Sequence, residues 1–242
     1  MRACATPSPV QAGQERRPRI EVADIFRAHG EVYRHSHALG ELDRRVMRDI
    51  VSCRTAVLGG HLDVCDTCGD ARPAYNSCRN RHCPGCQYLR QAKWVAERME
   101  RVLPTHHFHV VFTIPAELKP LALRNRARFF DMLFAAASAT LLQLGHDPER
   151  LGGLLGITAV LHTWTRSMTF HPHLHCIVTG GGLASDGARW VAARGRGRYL
   201  FPVKVMANLF RGKLLAALSR ARERGQLDFD GPCAHLAHPA DF

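Results

Sequence analysis

Two groups of metal-binding side chains carry most of the chemistry that this chain could perform. The first is a pair of Cys-x-x-Cys turns, Cys65 with Cys68 and Cys83 with Cys86. Each such turn holds two sulfurs on one side of a tight loop, and two turns supply the four thiolates that a tetrahedral zinc ion accepts. We therefore predict that these four cysteines bind one structural zinc ion, because four thiolates leave the ion no open position.

Further candidate ligands lie close to these turns. Cys53, His61, Cys78 and His82 belong to the same stretch and could supply a second zinc ion or replace one of the four cysteines. The sequence leaves the number of zinc ions, one or two, open. Unpaired thiols in a core are the alternative, and two Cys-x-x-Cys pairs at this separation favour metal over it.

The second group is the run 171–175, which reads His-Pro-His-Leu-His. Residues two apart on a strand point to one face of a sheet, so His173 and His175 would project together while the residue between them enters a core. One more imidazole would complete a divalent-metal site that keeps open positions for a phosphate oxygen. We favour His162 on the preceding strand as this third ligand, with His171 as the alternative.

The hydrophobic pattern predicts the elements that position these groups. Helical spacing indicates two helices before Cys53 and further helices over residues 92–103, 123–144 and 206–221. Alternation predicts strands over residues 107–114, 157–164 and 173–178, with another over 199–203. His107 and His109 share a face of the first strand with Thr113. They are weaker candidates for the third ligand, and we interpret them as surface or hydrogen-bonded histidines. The irregular succession of strands and helices indicates an α+β fold.

Composition divides the chain into three parts. Residues 1–18 are rich in Pro, Ser and Arg and are predicted to form a disordered tail. Residues 19–104 are predicted to form a small zinc-binding domain of helices and a ribbon that binds DNA, in which metal replaces a hydrophobic core. Residues 105–242 are predicted to form an antiparallel sheet flanked by helices.

The charge of the chain indicates a polyanionic partner. The chain has 33 Lys and Arg against 21 Asp and Glu, a formal net charge of +12, which favours nucleic acid over an anionic membrane. The N-terminus has no apolar signal region and no run reads as a membrane span, so we expect a soluble protein of a reducing cytosol. The basic residues expected to contact DNA phosphates are Arg79, Arg81, Arg90, Lys93, Arg194, Arg196 and Arg198.

The order of these motifs resembles the rolling-circle insertion-sequence transposases of the IS91 type. The resemblance rests on the cysteine module with its SCRNRHCPGCQ run, on the strand that ends in Phe-Thr-Ile-Pro at residues 112–115, and on the histidine run 171–175. It implies a zinc-binding domain joined to a nuclease domain of the histidine-hydrophobic-histidine (HUH) type, in which His173 and His175 bind magnesium or manganese. It also implies that the partner is DNA, in the form of single-stranded or hairpin ends of a mobile element.

The resemblance further implies a tyrosine nucleophile. In that family a tyrosine hydroxyl attacks single-stranded DNA while the divalent ion offsets charge on the scissile phosphate. Family members carry two tyrosines four residues apart on a later helix, and no such pair occurs among Tyr33, Tyr75, Tyr88 and Tyr199. We therefore expect a truncated transposase, either a fragment or a genuine short product, that binds DNA and metal and is inactive in isolation. The alternative is a non-catalytic zinc-dependent DNA-binding module or a transposase remnant. The sequence leaves the target DNA sequence and the oligomeric state open.

Overall fold

The structure is a computed structural model that describes residues 20–195 and 197–238. The predicted tail of residues 1–18 and the predicted DNA contact Arg196 lie outside the described residues. The chain forms two compact units that divide between Val102 and Leu103. The functional domain bounds predicted from the sequence, 19–104 and 105–242, stay a prediction.

The first unit has little hydrophobic core. Its described core consists of Ala23, Ile50 and Cys83, with a few half-buried apolar side chains around them. No residue of its third helix is buried. A core of this size is typical of a domain in which bound metal supplies much of the stability. The elements of the unit are α1 (Val22–Ser36), α2 (Glu41–Ser52), a hairpin of β1 (Gly60–Val64) and β2 (Ala71–Tyr75), and α3 (Pro84–Met99).

The second unit combines an antiparallel sheet with longer helices. Its elements are β3 (His107–Thr113), α4 (Lys119–Arg124), α5 (Arg126–His146), β4 (Gly153–Trp164), β5 (Phe170–Ala184), β6 (Trp190–Ala192) and α6 (Val203–Glu223). The strand predicted over residues 199–203 is wrong, because this segment is irregular. Pro202 is the N-cap of α6, and its fixed backbone angle leads into the helix instead of continuing a strand.

β5 is the central strand of this sheet. β4 pairs along one edge of β5, from Gly153 opposite Ala184 to Trp164 opposite Phe170. β3 and then β6 pair along the other edge, and all pairings are antiparallel. The register therefore places both neighbours of β5 beside the histidine run.

The two faces of the sheet have different environments. Leu174, Cys176 and Val178 are buried on one face, where α4 and α5 contact the strands and α6 packs on α5. His173 and His175 alternate with them and face the other way, where Ile177 is 52% exposed. The predicted α+β class, with a small zinc-binding domain followed by an antiparallel sheet and flanking helices, is confirmed. None of the described helices has the length and apolar character needed to cross a membrane.

Candidate metal centres

Three imidazoles lie side by side on the open face of the sheet. His162 on β4 is directly opposite His173 on β5, and His175 follows two residues along the same strand. The ring centroids of His162 and His175 are 4.3 Å apart, and those of His173 and His175 are 4.9 Å apart. One ring nitrogen from each residue lies within 4.8 Å of the other two. Three imidazole nitrogens at this separation can share one divalent ion.

A backbone contact fixes the tautomer of His173. Its Nδ1 lies 2.7 Å from the carbonyl oxygen of His171. A carbonyl only accepts hydrogen bonds, so Nδ1 carries the proton and Nε2 keeps the lone pair. Metal-binding histidines commonly have their second ring nitrogen fixed in this way. The donor set therefore fits a metal ion that accepts imidazole.

Burial favours the metal-binding form of His175. Burial lowers the pKa of His175, and the neighbouring His162, His173 and His109 lower the pKa further. Only the neutral imidazole has a lone pair for a metal ion. The mutual repulsion that would accompany protonation of several rings therefore favours the ligand form of His175.

A β-bulge begins next to the first ligand of β5. His162 pairs with His173, and Trp164 pairs with Phe170. The segment between these two pairs is two residue steps long on β4 and three steps long on β5. Pro172 lies in the extra segment, where its missing N–H removes no regular ladder bond. Bulges of this kind re-aim side chains beside functional sites.

The alternative third ligand, His171, lies next to the cluster and outside it. Its ring is 5.3 Å from that of His173, but it does not belong to the group of three. Burial, Lys119 and His173 lower the pKa of His171, and its Nδ1 is buried without a hydrogen-bond partner among the described residues. The geometry therefore favours His162 over His171.

Four cysteines form a second cluster, in the first unit. They are Cys53, Cys78, Cys83 and Cys86, whose sulfurs all lie within 4.8 Å of one another. The Cys86 sulfur is 3.5 Å from the sulfurs of both Cys53 and Cys78. Zinc–sulfur bonds of about 2.3 Å in a tetrahedron separate the sulfurs by about 3.8 Å. The arrangement therefore fits one tetrahedral zinc ion.

Helix ends deliver three of these thiols. Cys53 is the C-cap of α2, Cys83 is the N-cap of α3, and Cys86 lies in the first turn of α3. Pro84 stands at the first position of α3, where its fixed backbone angle favours the helix and no N–H is needed. The thiol positions are therefore fixed by the same residues that begin and end the helices.

A tight turn brings the fourth thiol, Cys78, to the others. Arg79 has a left-handed backbone with φ of 54°. The side chain of Asn80 closes the turn, because its Oδ1 accepts from the His82 N–H at 2.9 Å and its Nδ2 donates to Asp49 at 2.8 Å. The turn from Cys78 to Cys83 is therefore held by hydrogen bonds to α2 as well as within itself.

The four thiols do not have equal acidity. Burial raises the pKa of Cys53 and that of Cys78. Burial acts in the same direction on Cys86, but hydrogen bonds from Cys53, Cys78 and Cys83 outweigh it and lower the pKa of Cys86 to about 7. A metal ion binds thiolates, and the lowered pKa favours the thiolate form of Cys86.

Two family models match the regions of the chain that contain the cysteine and histidine clusters. Residues 25–114 match the family model described as "Transposase zinc-binding domain", of the IS91 type, and residues 156–242 match the model described as "Putative transposase". The cysteine cluster lies in the first region and the histidine cluster in the second. The chain belongs to the IS91-type transposases.

Curated relatives of this transposase are longer than the chain. It is 48% identical over 210 residues to "Putative transposase y4qJ" of Sinorhizobium fredii, a match that covers 86% of this chain and 52% of the relative. It is 32% identical over 151 residues to the transposase for insertion sequence element IS801 of Pseudomonas savastanoi pv. phaseolicola, covering 62% of this chain and 36% of the relative. The chain thus spans about half, or less, of the length of these two relatives.

Solved structures similar to this transposase include the conjugative relaxase TrwC in complex with oriT DNA. The metal-bound structure is 17% identical, with a TM-score of 0.39, and the match covers 48% of this chain and 43% of the relaxase. A complex of TrwC with a 27-mer DNA matches with a TM-score of 0.34, at 16% identity, over 46% of this chain and 44% of that one.

The structure of the transposase does not bring together the four zinc ligands predicted from the Cys-x-x-Cys spacing. Cys83 and Cys86 are joined by Cys53 and Cys78, and not by Cys65 and Cys68. The latter two follow β1 at the tip of its hairpin, where the Cys65 N–H donates to Asp70 at 2.9 Å. β2 then returns the chain to the base of the hairpin before Cys78, so the thiols nearest the helix ends form the cluster.

The predicted DNA contacts occupy exposed positions, with Arg196 outside the described residues. Arg79 and Arg81 lie in the turn between Cys78 and Cys83, and the exposed Arg90 and Lys93 lie on α3. Arg198 is also exposed. Arg194 differs from the others, because its guanidinium donates to the carbonyl oxygens of Glu149 at 2.6 Å and Pro148 at 3.1 Å. Arg194 therefore also connects the segment after β6 to the loop after α5.

His109 was a weaker ligand candidate that the sequence indicated as a surface or hydrogen-bonded histidine. It lies outside the group of three, and its Nε2 lies 2.7 Å from Nδ1 of His175. The alternation of β3 placed His109 on a face with Thr113, but the partner strand and its register were not readable from that pattern.

Proposed function

We propose that this transposase region binds a divalent metal ion through His162, His173 and His175 and presents it to a DNA phosphodiester for nicking and joining. The observation that carries the proposal is the convergence of three imidazoles on the open face of the sheet. Three ligands leave positions on the ion for phosphate oxygens. The family to which the chain belongs supports DNA as the substrate.

A divalent ion in this site would polarise the scissile phosphate and offset the charge that develops on it. The chain's own residues supply the lone pairs and fix their direction, as the His171 carbonyl does for His173. Imidazole ligands suit manganese better than magnesium, which prefers oxygen. Manganese is therefore the more sensitive probe, and either ion could act in the cell.

The nucleophile is not assigned to a residue of this chain. The family resemblance implies a tyrosine hydroxyl on a helix after the metal strand. Tyr199 follows that strand and is 54% exposed, but it lies in the irregular segment before α6 and not on a helix. We therefore propose metal binding and DNA binding for this chain and assign the attacking hydroxyl of strand cleavage to none of its residues.

The first unit is proposed to be a zinc-stabilised DNA-binding domain. Cys53, Cys78, Cys83 and Cys86 would hold one structural zinc ion, since a closed four-thiolate set leaves no position for a substrate. The exposed arginines of the turn between Cys78 and Cys83 would then contact DNA phosphates from a rigid support. We propose single-stranded or hairpin DNA as the preferred form and the bacterial nucleoid as the place of action.

Manganese titration by calorimetry tests the metal site. We expect His162→Ala, His173→Ala and His175→Ala each to weaken manganese binding at least tenfold, because each removes one of three ligands. The matched control is His146→Ala, because His146 is an exposed histidine on α5 whose Nδ1 contacts the Leu142 carbonyl. Unchanged manganese affinity in all three site variants would favour the alternative, a non-catalytic zinc-dependent DNA-binding module.

Fluorescence anisotropy with single-stranded, hairpin and duplex oligonucleotides tests the link between metal and DNA. Manganese is expected to tighten single-stranded or hairpin binding to the native chain and to leave binding to His173→Ala unchanged. Equal affinity for all three DNA forms, with and without manganese, would contradict the proposed DNA substrate. The metal site would then still be tested by the calorimetric titration.

A further inference from the structure

β3 places a fourth imidazole beside the metal-binding face. His109 pairs with Ile177 in the sheet register, which puts it diagonally next to His175. The two rings are nearly parallel, with an interplanar angle of 12° and centroids 4.9 Å apart. His109 Nε2 and His175 Nδ1 are separated by 2.7 Å, a short hydrogen bond. His109 is nevertheless outside the group of three nitrogens that could share an ion.

The chemistry of imidazole limits how this hydrogen bond can be arranged. A neutral imidazole has one N–H donor and one acceptor nitrogen. If Nδ1 of His175 donates to His109, then Nε2 of His175 keeps its lone pair for a metal ion. In the opposite arrangement, the His175 proton would sit on Nε2 and block that nitrogen. Metal binding through the nitrogen that faces away from His109 therefore requires His109 to be the acceptor.

The Nδ1 of His173 also has a hydrogen-bond partner, which in this case is a backbone carbonyl oxygen. The Nδ1 of His173 is held at 2.7 Å by the carbonyl oxygen of His171, which can only accept. His109 stands in the equivalent relation to His175, at the same distance. The Nδ1 atoms of both His173 and His175 thus have a partner, one from the backbone and one from a side chain that mutation can change.

We propose that His109 is a positioning residue that sets the tautomer and the ring orientation of His175 for metal binding. This inference rests on the proposed metal site of His162, His173 and His175. The partner on the outer nitrogen of a metal-binding histidine typically changes metal affinity by 10–100-fold when it is removed. His109 would act through His175 and would not itself contact the ion.

Two substitutions separate hydrogen bonding from ring packing. His109→Phe keeps an aromatic ring next to His175 and removes the acceptor. His109→Gln removes the ring and retains an acceptor oxygen at a similar distance from the backbone. We expect manganese affinity, measured by calorimetry, to fall about 10–100-fold in His109→Phe and to return to within about threefold of the native value in His109→Gln.

His107 provides the matched control. It lies two residues earlier on the same strand and the same face, opposite Thr179 and away from the three ligands. His107→Phe and His107→Gln are expected to leave manganese affinity unchanged. If His109→Phe binds manganese as the native chain does, or if Gln fails to rescue it while the sheet stays folded by circular dichroism, the proposed role of His109 is wrong.

Long-range proton–nitrogen NMR of the metal-free chain gives a readout independent of affinity. At a pH near 8, where imidazoles are neutral, the proton of His175 is expected on Nδ1 in the native chain and in His109→Gln. In His109→Phe it is expected to move to Nε2, the tautomer that a free imidazole prefers. A proton on Nε2 of His175 in the native chain would overturn the inference.

The outcomes for His109 and for the metal site itself can be told apart. Loss of manganese binding in His173→Ala with no effect of His109→Phe retains the proposed function and rejects the role of His109. Native manganese affinity in both His173→Ala and His175→Ala rejects the proposed function and, with it, any positioning role.

Discussion

The cysteine cluster and the histidine cluster differ in what holds their ligands in place. The four cysteines sit at helix ends and turns in a unit whose described buried apolar side chains are few, namely Ala23, Met47, Ile50 and Cys83. The three histidines stand on paired strands whose opposite face is packed against helices, with Leu174 and Val178 fully buried. The first site thus depends on its metal for structure, whereas the second is supported by a core that exists without metal.

If both sites bind metal as proposed, the two ions would have different tasks. A closed thiolate set contributes folding energy and has no room for a substrate. An open imidazole set on a rigid sheet contributes little to folding and keeps ligand positions free. Changes that remove metal or ligands should therefore have opposite consequences in the two units.

The largest expected effect is the loss of the first unit when zinc is removed. Zinc binding to small domains contributes about 10–16 kcal/mol, far more than the small core of the first unit can replace. We expect a chelator or Cys83→Ser to abolish hydrogen-exchange protection of α1, α2 and α3 while β3, β4 and β5 stay protected. Mass spectrometry of exchanged peptides measures both units in one sample.

The cysteines of the hairpin tip sharpen this test. Because Cys65 lies outside the four-sulfur cluster, Cys65→Ser is expected to keep the zinc ion that Cys53→Ser loses. If α1–α3 stay protected from hydrogen exchange after complete zinc removal, the first unit does not depend on zinc, and the difference proposed between the two units is wrong. Loss of that zinc in Cys65→Ser, but not in Cys53→Ser, would restore the ligand set predicted from spacing.

Adjacent residues of β5 provide the next largest effect. Leu174 is fully buried, so Leu174→Ala should destabilise the second unit by about 2–5 kcal/mol. His173→Ala removes a side chain from the open face and should change the free energy of unfolding by less than about 0.5 kcal/mol. Urea denaturation followed by Trp164 and Trp190 fluorescence, with Trp94 replaced by Phe, measures the second unit alone. Equal losses would mean that the histidine face is also a packed core.

The sequence predicted the histidine site better than the cysteine site, for a physical reason. Strand alternation fixes which side chains share a face, so His173 and His175 were assigned to one face. His162 was favoured as the third ligand because it is in phase with Trp164 on the preceding strand, with His171 as the alternative. Cysteine spacing carries no such constraint, because it does not say where a hairpin turns back. The pattern also could not give the register between β3 and β5, which is what brings His109 to His175.

Element ends were the least predictable part of the fold. α3 begins at Pro84, directly after the cluster residue Cys83, and not near residue 92. The apolar periodicity of this helix is weak in its first turn, which reads Pro-Gly-Cys-Gln and contains no buried residue. β5 extends from Phe170 to Ala184 through a proline and three glycines, since the bulge absorbs Pro172 and the glycines allow close approach of neighbouring backbone.

A smaller effect is expected from the buried thiol of the sheet core. Burial raises the pKa of Cys176 from 9.0 to about 11. The unfolded chain therefore ionises this thiol first, so the stability of the second unit should fall as pH rises from 9 to 11, by about 1–3 kcal/mol. Cys176→Ala should flatten this part of the pH profile in urea denaturation. The same pH dependence in both proteins would show that other groups cause it.

The smallest expected effects concern single arginines on the DNA-binding surface. Arg79→Ala and Arg81→Ala should each reduce the salt dependence of DNA binding by about 0.7–0.9 in the log–log slope, because each removes one phosphate contact. Arg72→Ala is the control, since Arg72 is exposed on the hairpin and bonded to Asp70. Arg194→Ala should lower the thermal stability of the second unit as well, because it loses two carbonyl contacts. If both substitutions leave the log–log salt slope unchanged, Arg79 and Arg81 of the first unit do not contact DNA.

Pulsed electron paramagnetic resonance of bound manganese tests directly whether His162, His173 and His175 bind the ion. With histidine labelled by nitrogen-15, the account predicts hyperfine coupling of the manganese ion to imidazole nitrogens, reduced in His162→Ala and absent in the triple variant at residues 162, 173 and 175. Bound manganese without coupling to histidine nitrogen, or coupling that persists in the triple variant, would contradict it.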